Sequence, residues 1–212
     1  MNIIDKIKAE VQSLLTDSRG SHDWEHTERV FRLALHIGKK EGADMTIISL
    51  AALLHDIGRN CEAESHGRVC HAEKGAEMAA CILEKHNLDS NLIKEIIHCI
   101  ETHRFRNNKH PQTREAEVLF DADKLDSIGA VGIGRAFLFA GEVGAKLHNK
   151  NINIALTHSY SKEDTAYREY MVKLRHVKER MCTDEGKHLA YERHKFMEEF
   201  FHRLNKEVDG II

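Results

Sequence analysis

The chain has a single proline, Pro111, in 212 residues. Proline is the strongest interrupter of helices, so its scarcity favours long ones. There is no excess of positive charge: 31 Lys and Arg stand against 34 Asp and Glu, a net charge of −3. That balance gives no basic field for nucleic acid or an anionic membrane. The five cysteines, Cys61, Cys70, Cys81, Cys99 and Cys182, are odd in number and contain no C-x-x-C pair. Neither a disulfide framework nor a zinc finger is indicated, and a reducing cytoplasm fits. No stretch approaches the roughly 18 uninterrupted apolar residues of a membrane span. The opening residues are charged and amphipathic, unlike a signal peptide. Internal repeats, low-complexity segments and alternating strand patterns are missing as well. A soluble cytoplasmic protein is the expectation, with no nucleic acid and no membrane among its partners.

Abundant instead is histidine, with 16 copies. Imidazoles are the commonest protein ligands for metals and titrate near neutrality, so the question is which of them serve a site. Apolar spacing places them on helices. Ile3, Ile4, Ile7, Val11, Leu14 and Leu15 form one amphipathic stripe ending near residues 17–20. Ser21 offers a cap for a second helix, on which His26, Val30, Leu33 and Ile37 share a face. Gly42 ends it and Asp44 caps a third, apolar almost all round from Ile47 to Leu54, which should be the central buried helix. Residues 58–68 and 103–113 read as polar loops around helices over about 71–86 and 90–102. A helix from about Arg114 carries Ala116, Leu119 and Asp123 on one side. The glycines from Gly129 to Gly144 suggest close helix packing. A third loop, 149–159, precedes Ser161-x-x-Asp164, a capping signal for a helix to about Met181, and Thr183 opens the last helix. The expected fold is an all-α, helical-bundle single domain of about nine helices spanning 1–212, with a core at 20–145 and helices 150–212 packed on it.

The central helix carries the sharpest chemical signal. It ends in His55-Asp56, and burying these two groups is costly unless they are paired or bind a metal. A mixed nitrogen and oxygen site needs ligands from other helices. His26 qualifies by its place on the apolar stripe of the second helix, and Asp123 by the face it shares with Ala116 and Leu119. Asp121 is the alternative to Asp123, because residues two apart on a helix cannot readily face one ion together. His22, four residues before His26, reads better as a cap or surface residue.

These residues resemble the HD superfamily of metal-dependent phosphohydrolases, whose pattern is H…HD…D on a helical core. The matching segments are His22-Asp-Trp-Glu-His-Thr-Glu-Arg-Val30, Leu53-Leu-His-Asp-Ile-Gly58 and Asp121-Ala-Asp-Lys-Leu-Asp-Ser-Ile-Gly129. The resemblance implies one divalent ion, manganese first, with iron, cobalt or magnesium as alternatives. Its ligands would be His26, His55, Asp56 and Asp123, with Asp56 and Lys124 as catalytic residues. It extends through Cys70-His-Ala-Glu-Lys-Gly75 and Glu101-Thr-His-Arg104, whose His71 and His103 would line a phosphate pocket with Arg59 and Lys124. In two-metal relatives such histidines hold a second ion. Lys173 and Arg193 in the terminal helices are further pocket candidates. Other histidines, His66 and His194 among them, are assigned no catalytic role. The Gly-Tyr-Pro motif of the cyclic-dinucleotide branch is missing. A nucleoside triphosphate pyrophosphohydrolase is the expected activity on a small-molecule nucleotide. A nucleotide phosphodiesterase, a phosphomonoesterase or a non-catalytic nucleotide sensor is the alternative. The sequence leaves a homo-oligomer open.

Overall fold

Local capping chemistry sets most helix starts in the computed structural model, which describes residues 2–15, 24–65, 68–104, 109–151 and 153–212. Among these residues there are ten α-helices, two 3₁₀ helices and no strand. The expected N-cap Ser21, the helix end at 17–20, and His22 and His66 lie outside the described residues. The chain divides into two compact units, one of residues 1–123 and 182–185, the other of 124–181 and 186–212.

In the first unit, α1 (Ile3–Leu14) is capped by Asn2, which accepts from the Asp5 amide at 2.8 Å, and it buries Ile7 and Val11. Helix α2 (Trp24–Glu41) buries His26, Val30 and Ile37 of the stripe read from the sequence, while Leu33 is half-buried and Ala34 is buried instead. Gly42 at φ +69° ends the connection after α2 in a left-handed conformation that only glycine adopts without strain. Asp44 then caps α3 (Met45–Leu54) through the Thr46 and Ile47 amides.

Every residue of α3 from Ile47 to Leu54 is buried. It packs against α1, α2, α5 (His71–Lys85) and α6 (Ser90–Thr102), which explains a helix with no polar face. Helix α6 is capped by Asp89. Helix α7 (Arg114–Asp126) buries Ala116, Leu119 and Phe120.

The stretch expected as a loop after Gly58 contains a further helix, α4 (Arg59–Glu64). It buries none of its residues and is held by polar contacts, so apolar periodicity could not reveal it. Close backbone approach occurs at Gly58. A Cβ there would stand 2.3 Å from the His71 carbonyl oxygen and 2.6 Å from the Gly75 nitrogen. Glycine thus lets the end of the central helix meet the start of α5.

The second unit holds α8 (Gly129–Glu142), a 3₁₀ turn at Ile154–Leu156, α9 (Ala166–Val172), a 3₁₀ helix at Leu174–Arg180 and most of α10 (Asp184–Val208). The 3₁₀ turn interrupts the expected loop at 149–159. The helix expected from 161 to 181 is broken in two at Lys173, whose φ and ψ of −138° and −59° leave the α-helical region. Thr165, rather than Ser161, caps α9 by accepting from the Arg168 amide. Asp164 instead pairs with Arg168 at 2.7 Å. Of the glycine series, Gly132 does meet backbone, with Ser127 O 2.2 Å from its notional Cβ, but Gly134, Gly141 and Gly144 have nothing within 4 Å. Close packing therefore accounts for only part of that series.

Candidate metal centre

The apolar surround of α3 carries its C-terminal residues into the interior of the first unit. His55 is the C-cap and is fully buried, and Asp56 beside it is 2% exposed. His26, on the buried stripe of α2, brings its Nε2 to 3.3 Å from His55 Nε2 and 3.4 Å from Asp56 Oδ2. Asp123 on α7 completes the group, with Oδ1 3.5 Å from His26 Nε2. Four donors from two helices and the α3–α4 junction thus converge, two nitrogens and two oxygens.

Asp121 points elsewhere. Its carboxylate accepts from the Cys182 amide at 2.9 Å, the Thr183 amide at 2.8 Å and the Thr183 hydroxyl at 2.6 Å. Burial raises its pKa, against the lowering effect of these hydrogen bonds. Residues two apart on a helix are rotated by about 200°, so the carboxylates of Asp121 and Asp123 diverge.

A second group shares Asp56. His71 Nε2 lies 3.4 Å and His103 Nε2 3.6 Å from Asp56 Oδ1, and the two rings approach to 3.2 Å between their Nε2 atoms. All three residues are buried. Asp56 therefore offers Oδ2 to His26 and His55 and Oδ1 to His71 and His103.

The ring orientations fit cation binding. His55 Nδ1–H donates to Ala52 O at 2.8 Å and His103 Nδ1–H to Ile100 O at 2.6 Å. Each bond fixes the tautomer that leaves an Nε2 lone pair facing the cluster. His71 Nδ1 lies 2.7 Å from Glu62 Oε2. Arg104 Nη1 lies 2.6 Å from the same nitrogen and 3.0 Å from Glu62 Oε1. A guanidinium only donates, so the two contacts to Nδ1 require opposite tautomers. A protonated Nδ1 satisfies the facing carboxylate, and Arg104 retains its own acceptor in Oε1. Burial, outweighing the attraction of Asp56, lowers the imidazole of His55 to about 4 and that of His71 to about 3. Both imidazoles are neutral at pH 7.

The donor contacts of 3.2–3.7 Å that His26, His55, His71 and His103 make in these groups match adjacent ligands around an ion with bonds of about 2.0–2.2 Å. The donor chemistry and spacing fit divalent cations.

Arg59 Nε stands 3.0 Å from Asp56 Oδ1 and its Nη1 3.2 Å from Glu62 Oε2, so this phosphate-pocket candidate borders the donors. Lys124 follows Asp123 on α7, is half-buried and belongs to the second unit, as do Lys173 and Arg193. Arg193 Nη1 donates to Leu125 O, and its side chain lies against Gly129. Sequence reasoning missed Glu62 and Arg104. The available signals were the Arg59 to Glu62 spacing of three and the arginine directly following His103.

The HD domain family model matches residues 23–128, which contain all six donors. The uncharacterized protein YpgQ of Bacillus subtilis is 38% identical over 211 residues, 98% of this chain and 94% of that protein. The crystal structure of YpgQ in complex with ADP superposes with a TM-score of 0.76 at 34% identity, covering 99% of this chain and 100% of that one. An HD-superfamily hydrolase from Bacillus thuringiensis gives 0.77 at 29% identity, with 97% and 96% covered. No helix among the described residues is long and apolar enough to cross a membrane. With its paired histidine clusters around the His55-Asp56 doublet and a relative alike over nearly its whole length, the chain belongs to the HD domain family, the HD-superfamily hydrolases.

Proposed function

We propose that the chain is a metal-dependent phosphohydrolase acting on a nucleotide, with a nucleoside triphosphate cleaved to a monophosphate and pyrophosphate as its reaction. The carrying observation is that His55, Asp56 and Asp123 each bring a donor within 3.3–3.5 Å of His26 Nε2, a spacing suited to one ion. The ADP complex of the related YpgQ supports a nucleotide as ligand. Two imidazoles favour manganese, iron or cobalt over magnesium alone, and manganese is proposed first. Such a cation, when bound, supplies Lewis acidity toward a phosphoryl oxygen and an attacking water.

The residues of the chain divide the remaining work. Asp56 and Asp123 bring the negative charge that retains a cation, while His55 is held neutral by burial and oriented by the Ala52 carbonyl, and His26 adds the second imidazole. Arg59 and Lys124 neutralise phosphate oxygens, and a preorganised cation there stabilises charge developing as the α–β phosphoanhydride bond breaks. Water oxygen bonds to the α-phosphorus, the bridging oxygen leaves with pyrophosphate, and the water proton passes to solvent or to the leaving group. His71, held neutral by burial, presents a lone pair at Nε2, and the His103 Nδ1–H bond to Ile100 O turns that ring's Nε2 toward the same cluster, so the pair suits a second cation better than phosphate oxygens. That second cluster favours one further reading, cleavage of a phosphodiester or phosphomonoester across two ions. Cytoplasmic residence belongs to the proposal and rests on composition.

A panel of nucleoside tri-, di-, mono- and cyclic phosphates in Mn²⁺, with chromatographic identification of products, tests the reading. Pyrophosphate from a triphosphate supports it. Turnover of cyclic or monophosphates alone selects the second reading, and no turnover in the whole panel refutes both.

A further inference from the structure

His55 and His103 each close a helix, α3 and α6. From that position the imidazole Nδ1–H reaches the carbonyl three residues earlier, so each ring is oriented by its own helix. His71 stands at the opposite end of its element, as the first residue of α5. No preceding helical turn is available there to supply an acceptor. Its ring needs a partner from another element, and that partner is Glu62 of α4, at 2.7 Å.

Glu62 is itself held from several sides. Arg104 Nη1 lies 3.0 Å from Oε1, and Arg59 Nη1 lies 3.2 Å from Oε2. Arg59 in turn places Nε 3.0 Å from Asp56 Oδ1, so one side chain connects Glu62 to the central carboxylate. Helix α4 buries no residue, and its place in the fold is marked by these polar contacts rather than by apolar packing.

We propose that Glu62 is a positioning residue for the second donor cluster. By accepting the His71 Nδ1–H it aims the Nε2 lone pair at Asp56 and His103 and makes the imidazole a stronger donor. The inference rests on the reading of Asp56, His71 and His103 as a second cation site. It assigns α4 a purpose that neither packing nor the H…HD…D motif supplies.

Calorimetric Mn²⁺ titration of the full chain, with elemental analysis, tests it. Wild type binds two equivalents, and His71→Ala only the first. Glu62→Ala weakens the second equivalent by about 10–100-fold and leaves the first unchanged. Glu62→Gln falls between, because its amide oxygen still accepts a hydrogen bond. If Glu62→Ala binds both ions as wild type does, the inference is overturned while the two-cluster reading stands. Equal weakening of both equivalents also overturns it, since a role directed at His71 must act selectively. If wild type and His71→Ala each bind a single ion, the two-cluster reading itself fails, and the inference with it.

Discussion

Thr183 binds the carboxylate of Asp121 twice, through its amide at 2.8 Å and its hydroxyl at 2.6 Å. This fastens α7 to the residue preceding α10 and leaves Asp123, two positions on, as the carboxylate that faces His26. One short acidic segment therefore carries a structural aspartate and a candidate ligand side by side.

The two should separate experimentally. Asp121→Asn loses a charge-assisted acceptor and should cost about 1–3 kcal/mol of stability with Mn²⁺ binding retained. Asp123→Asn should lower affinity for the first ion by more than about 100-fold with a smaller effect on stability. Denaturant unfolding of the metal-free proteins and Mn²⁺ titration of both variants check this. A reversed pattern would reinstate Asp121 as the ligand.

The metal-free protein should lose stability as pH falls from about 6.5 toward 4. Burial holds the His55 imidazole at about 4, against 6.5 when exposed, so the unfolded chain takes up more protons over that window. Stability is full above the unfolded value and declines below it, by up to about 3 kcal/mol from His55 alone. Urea titrations at a series of pH values measure the slope. Added Mn²⁺ should shift the midpoint upward at pH 7 and lose that effect in acid. A flat profile over this window would show that His55 is not buried in its neutral form.

Glycine substitutions give opposite results at two positions. Gly58→Ala drives a Cβ into the backbone of His71 and Gly75, and neither can yield locally. It should destabilise by several kcal/mol and weaken Mn²⁺ binding at His71. Gly134→Ala, in open space on α8, should stabilise by up to about 1 kcal/mol. Thermal unfolding compares the pair. A tolerant Gly58→Ala would mean that the α3–α5 junction is looser than the packing indicates.

The parts legible in the sequence are those where one periodicity carries both burial and chemistry. His26 lies on the α2 stripe, and His55-Asp56 follows an apolar run that can only be a central helix. Their convergence followed from spacing and from resemblance to the HD family. Helix α4 escaped notice because its anchors, Arg59 and Glu62, are charged, and a polar helix has no apolar rhythm. The resemblance sets His71 and His103 in a phosphate pocket, but it says nothing of their tautomers. Those depend on Glu62 and on the Ile100 carbonyl, contacts that spacing does not encode. At Ser161 the capping pattern was present, yet Thr165 took the cap because Asp164 is engaged by Arg168 and the Tyr160 amide.

The central claim is hydrolysis of a nucleotide phosphoanhydride at a cation held by His26, His55, Asp56 and Asp123. Phosphorus-31 NMR of a nucleoside triphosphate incubated with the protein and Mn²⁺ tests it most directly. The account predicts a growing pyrophosphate signal that disappears with a chelator or in His55→Ala. An unchanged triphosphate spectrum, or equal turnover by His55→Ala, would contradict it.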